Sequence, residues 1–163
     1  MEPDDPVVRE ADPEVQVRAF IDQHRQMLRA SLDGLTEQEA RAALVPSLTT
    51  LLGLVKHAAF VERVWFGEAV TGSPRSALGI PETVEESLEL TSEDTIASVL
   101  AEHAAAVARS RAAVAGMSGD AVLPGNRRGP LPLRWVHLHV LRELAQHCGH
   151  ADILREQVLA ARD

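Results

Sequence analysis

The sequence predicts an all-α domain, and three observations carry that prediction. Apolar residues recur at helical spacing through four long segments, nothing alternates with period two for long enough to make a strand, and no segment repeats at a fixed period. Ala and Leu supply much of a 45% hydrophobic content, which suits close-packed helices. At 163 residues the chain is long enough for one domain with a continuous core and short for two.

Residues 1–11 are acidic and proline-bearing with almost no apolar content, so they read as a disordered leader ahead of a helical domain over 12–163. Asp12 is placed as an N-cap, and Pro13 opens a helix over 13–33 with Val17, Phe20, Ile21, His24, Leu28 and Leu32 at helical spacing. Gly34 ends it. Thr36-Glu37-Gln38-Glu39 is a capping box for a short helix over 37–44. After Pro46 and Ser47, a second long helix spans 48–70, apolar nearly all round, with Lys56 and Arg63 marking its solvent face. Gly72, Pro74, Gly79 and Pro81 make 71–90 a surface connection with at most a turn of helix. Ser92, followed by Glu93 and Asp94 at the positive helix end, caps a third long helix over 92–115. A glycine-rich loop over 116–130 leads to the last helix, 132–161. Helices of this length bury their stripes against one another as a bundle, with sites built from side chains on facing helices.

Charge and composition narrow the function. Sixteen basic against 24 acidic residues give a formal charge of −8, which repels phosphate backbones and anionic lipid, so neither nucleic acid nor membrane is expected as a partner. Aromatic residues make up 3% of the chain and tyrosine is absent, which leaves few stacking platforms. No apolar run approaches the roughly 20 residues of a spanning helix, and Met1-Glu2-Pro3-Asp4-Asp5 lacks the basic and apolar regions of a signal peptide. A lone cysteine, Cys148, excludes an intramolecular disulfide and fits a reducing compartment; the expectation is a cytoplasmic protein.

Seven histidines are the unusual feature. On the last helix His139, Glu143, His147 and His150 fall along one line of the surface. His147 lies between Val140, Leu144, Ala151 and Leu154 and should point inward, with Glu143 one turn earlier. An inward carboxylate needs a partner, and an i, i+4 carboxylate and imidazole can chelate one cation. His57, on the side of its helix towards Leu54, Val61 and Val64, supplies a third donor from the second helix. Two nitrogens and one carboxylate oxygen leave a fourth position for water or substrate, the pattern of catalytic zinc sites, with donors roughly 2.0–2.2 Å from the metal. His139 and His150 are placed as partners orienting the ligands or as cavity lining. His24 and His103 read as satisfied core residues, His137 as surface or rim, and Cys148, opposite Glu143, as inert.

Two segments carry a family resemblance. Pro46-Ser47-Leu48-Thr49-Thr50-Leu51-Leu52-Gly53-Leu54-Val55-Lys56-His57, continuing through Val61-Glu62-Arg63-Val64-Trp65-Phe66, resembles the second helix of an actinobacterial branch of the DinB-like superfamily. Leu133-Arg134-Trp135, followed by His139, Glu143 and His147-Cys148-Gly149-His150-Ala151-Asp152-Ile153-Leu154-Arg155-Glu156, resembles its last helix. The resemblance implies a four-helix bundle, often dimeric, with a divalent metal on His57, Glu143 and His147. Where the common superfamily pattern has three histidines, Glu143 takes the first place of the pair, as in the branch of maleylpyruvate isomerase and the mycothiol transferases.

That kinship implies a metal-dependent thiol S-transferase with Zn2+ as the metal, Ni2+ being able to replace it in purified protein. Mycothiol is the implied cosubstrate, a small electrophile the second partner, and a homodimer the assembly. The nucleophile would be a metal-bound thiol or water. Arg134, and Arg127 or Arg128 in the preceding loop, are candidates for neutralising a substrate carboxylate. Two alternatives stand beside this reading: a noncatalytic, stress-associated metal-binding dimer, and a metal-dependent hydrolase. The latter lacks a second inward carboxylate to act as base.

Overall fold

The computed structural model describes residues 2–162. It begins with α1 (Pro6–Arg9), a turn capped by the Asp5 carboxylate, which accepts from the Val7 N–H at 2.9 Å. Val8 is buried, so part of the expected disordered leader takes up helical structure and hides an apolar side chain; Met1 lies outside the described residues. α2 (Pro13–Ala30) starts on Pro13, although Asp12 makes no side-chain cap bond. α3 (Glu37–Ala40) carries the capping box, with the Glu39 N–H on Thr36 Oγ1 and the Thr36 N–H on Glu39 Oε2. It is four residues shorter than expected: Ala40 already reaches the core, and Pro46 disfavours helix ahead of it.

α4 (Leu51–Arg63) is capped by Thr50, whose Oγ1 accepts from the Gly53 N–H at 3.0 Å. It does not run on unbroken to 70. A π-helical turn, Val64–Glu68, intervenes before α5 (Ala69–Thr71). Such a turn adds a residue per coil that a 3.6-residue period cannot reveal. The connection beyond is more structured than expected, holding α6 (Arg75–Leu78) and α7 (Val84–Leu88). α8 (Ile96–Ala113) is capped by Thr95 in a reciprocal arrangement with Ser98, so Ser92 is not its cap.

The expectation of helices alone needs one correction. β1 (Val122–Asn126) and β2 (Gly129–Pro132) form an antiparallel hairpin inside the segment read as a loop. Pro124, Pro130 and Pro132, with an irregular register between Leu123 and Asn126, erase the period-two signal. Gly125 makes the hairpin feasible: its φ is +81°, and a Cβ there would collide with the Gly129 carbonyl oxygen. α9 (Leu133–Ala160) follows directly, and the loop before the hairpin accepts its first free amides, Leu133 N–H on Ala121 O and Arg134 N–H on Gly119 O.

α8 and α9 both pack on α4, and α9 also packs along α2. Residues 51–55 and 57–62 are buried without exception, so α4 runs through the centre and its all-round apolar character is accounted for within one chain. Glu62 is the charge that the apolar reading of this helix overlooks. It is 0% exposed and takes a two-pronged hydrogen bond from Arg25 of α2, at 2.8 and 2.7 Å. Among the described residues no helix is long and apolar enough to cross a membrane.

Candidate metal centre

α9 sets Glu143 and His147 one turn apart, and α4 brings His57 to face them. One donor atom from each lies within 4.8 Å of the other two. His57 is 4% exposed, whereas the Glu143 and His147 side chains are 23% and 14% exposed, so the group is closed towards α4 and open along α9. The His57 and His147 rings meet edge to face with centroids 4.8 Å apart. Donors around a tetrahedral zinc stand about 3.4 Å apart, a contraction that small side-chain rotations supply.

The protonation states suit a cation. Burial, with His147 adding to it, pushes the His57 pKa down to about 4 against the opposing pull of Glu143. The polar contact with His147, and then the hydrogen bond from Arg142, hold the Glu143 carboxyl at about 2 despite partial burial. Neutral imidazole and ionised carboxylate are the forms that ligate. Arg142 donates to Glu143 Oε1 at 2.6 Å, and His139 Nε2 stands 3.5 Å from the same oxygen. Since Arg142 can only donate, its 3.3 Å contact makes His139 Nδ1 an acceptor and leaves the His139 proton on Nε2, facing Oε1. Oε2, 3.7 Å from His147 Nε2, remains for a ligand.

The fit to a metal rests on His147. Among the described residues neither of its ring nitrogens, both buried, has a hydrogen-bond partner, and an imidazole held that way beside a carboxylate lacks the group that would satisfy it. His57 differs, because its Nδ1 lies 2.7 Å from Ser87 Oγ of α7.

The remaining expectations divide. His139 reaches the Glu143 carboxylate from outside the three-donor group and stacks on Trp135, with centroids 5.0 Å apart and planes 10° apart. Trp65 of the π-helical turn closes on the same ring at 4.1 Å, and the Arg128 guanidinium of the hairpin lies 5.9 and 6.0 Å from the Trp65 and Trp135 rings. His150 is exposed, its ring 5.9 Å from that of His147. Arg134 is exposed, pairs with Asp120, and precedes Glu143 by nine residues, half a turn out of phase with it. Arg142 is the arginine in contact with a donor, and Arg128 lies further out, over Trp65 and Trp135. His137 is buried, not at the rim, because it sits under Phe66; His103 is fully buried and, among the described residues, neither of its ring nitrogens has a partner. His24 is half-buried, with Nδ1 2.7 Å from Phe20 O. Cys148 is buried, and desolvation followed by Asp152 raises its thiol to about 11, so it stays protonated at neutral pH.

Sequence reasoning missed Ser87, Trp65 and Trp135 as members of this neighbourhood. Trp135 carried a signal, standing one turn before His139 as His139 stands one turn before Glu143. Trp65 depended on the π-helical turn, and Ser87 on a connection without period. Cavities of about 800 and 460 Å3 lie elsewhere, and none of His57, Glu143 or His147 lines either. The first opens beside α2 and α8, among Arg18, Asp22, Arg25 and Arg111.

The sequence model of a family described as mycothiol-S-transferase matches residues 16–160. No curated protein matches the chain.

Proposed function

The chain belongs to the mycothiol-S-transferase family, and from that premise we propose a metal-dependent S-transferase that joins mycothiol to a small electrophile. In this reading residues 12–163 form a DinB-like four-helix bundle working in the cytoplasm, and His57, Glu143 and His147 hold one divalent cation, Zn2+ by donor type. The observation that carries the reading is the His147 imidazole, unpartnered among the described residues, set against an ionised carboxylate and the neutral His57 imidazole. A divalent cation there would favour thiolate over thiol at neutral pH.

The chain's own residues do the rest. Glu143 offers Oε2 while Arg142 and His139 occupy Oε1, which makes it a one-oxygen ligand and keeps a position open. Two neutral imidazoles and one carboxylate reduce a divalent cation to a formal charge of +1, which favours firm retention over the strongest acidification of a thiol. Arg128, with no carboxylate partner among the described residues, lies over Trp65 and Trp135 where an anionic acceptor would approach. The hydrolase alternative loses ground because Glu62, the other buried carboxylate, is tied to Arg25 and is no free base. The noncatalytic alternative draws support from the cavities' distance from the donors. Exposed Phe20 and Met27 on α2 and Leu138 and Ile153 on α9 offer apolar surface for the homodimer we also propose.

The test is thiol conjugation. Untagged protein, stripped with chelator and reloaded with zinc, should conjugate mycothiol to a panel of small electrophiles and lose that activity when stripped. Zinc retention without turnover across the panel would favour the noncatalytic reading.

A further inference from the structure

A short strap crosses α4 where His57 emerges. α7 ends at Leu88, and a Cβ on Gly53 would meet the Leu88 carbonyl oxygen at 3.0 Å and Thr50 Oγ1 at 2.9 Å, so the approach needs a residue without a side chain. One residue before His57, Lys56 Nζ donates to Glu89 O at 2.6 Å and pairs with Asp94 at 2.9 Å. Glycine on one side and lysine on the other pin the strap to α4. Between them Ser87, 1% exposed, is held against the imidazole.

The direction of this hydrogen bond is fixed by a second one. Ser87 Oγ has a single proton, and it goes to the Val84 carbonyl oxygen one turn back. Towards His57 the hydroxyl can only accept, so His57 Nδ1 carries the proton and Nε2 carries the lone pair. We infer that Ser87 is a positioning residue, which sets the tautomer and ring angle of His57 so that Nε2 faces Glu143 and His147. The same relation, an imidazole donating through its far nitrogen, governs ligand basicity at metal sites in general. The inference rests on the metal reading above only for its consequence, not for the tautomer.

The experiment therefore reads the two separately. Long-range 1H–15N spectra of metal-free protein at neutral pH should show His57 protonated at Nδ1 in the wild type and in Ser87→Thr. In Ser87→Ala that preference should be lost. Co2+ titration should then show Ser87→Ala weakened by about 10–100-fold, with Ser87→Thr restoring affinity. A wild-type His57 protonated at Nε2 would overturn the inference, whether or not Ser87→Ala folds. An unaltered tautomer or Co2+ affinity in folded Ser87→Ala would overturn it too. If the wild type bound no Co2+ while the tautomers behaved as described, the tautomer assignment would stand and the metal reading would fall.

Discussion

His103 shows how a single buried side chain leaves a signature in solution. It is fully buried on α8, both ring nitrogens are unpartnered among the described residues, and burial pushes its pKa down to about 4. His137, also buried, is lowered to about 4 for the same first reason. In the unfolded chain a histidine titrates near 6.5. Between about pH 6.5 and 4 the unfolded state therefore binds more protons, so stability falls as the pH drops through that window and is flat above it, by on the order of 1–3 kcal/mol per histidine. His103→Leu should cost little at pH 7, since it removes two unsatisfied atoms, and should flatten the acid limb. Urea midpoints at pH 7 and pH 5 measure this, and an acid limb of undiminished slope in the variant would contradict it. At this scale the sequence exposes Glu143 and His147 plainly, because i, i+4 spacing on one helix is a local fact. Ser87 is invisible to it, because only the chain's return across α4 brings the serine to the histidine.

Elements fail or succeed as predictions according to how local their cause is. The capping box at Thr36 and Glu39 and the Pro13 start are written in adjacent residues and appear in the structure. The break after Arg63 is not: the π-helical turn places Trp65 against His139 and Phe66 against His137, contacts made by a helix distant in sequence. The hairpin is the other case, where three prolines and an irregular register hide the alternation and Gly125 permits the close crossing. Gly125→Ala forces a Cβ into the Gly129 carbonyl at positive φ and should cost at least about 2 kcal/mol, lowering the melting midpoint by several degrees. It should also lift Arg128 from the two tryptophans and alter their fluorescence. An unchanged emission spectrum and midpoint would mean that the hairpin does not hold Arg128 in place.

Across the whole molecule, α2 and α4 are linked through charge as well as apolar contact. The Arg25–Glu62 pair is almost fully removed from water, so Arg25→Met should cost about 3–5 kcal/mol by leaving Glu62 unpaired, while the double replacement Arg25→Met with Glu62→Leu should recover most of the loss. Chemical denaturation of the three proteins checks it, and additive losses would count against the pair. The sequence announces the long helices through their periodicity but not this tie, since an arginine and a glutamate 37 residues apart carry no mark of pairing. It exposes an all-round apolar second helix but not whether a partner chain or this chain covers it; one chain does, with α8, α9 and α7 wrapped around α4. The candidate site lies between α4 and α9, where three side chains from the two helices would hold one divalent cation. The most direct measurement is elemental analysis of untagged wild type and Glu143→Ala after equilibrium dialysis against limiting zinc. About one zinc per wild-type chain and marked loss from the variant are expected. Equal metal content in both, or none in the wild type, would contradict that expectation.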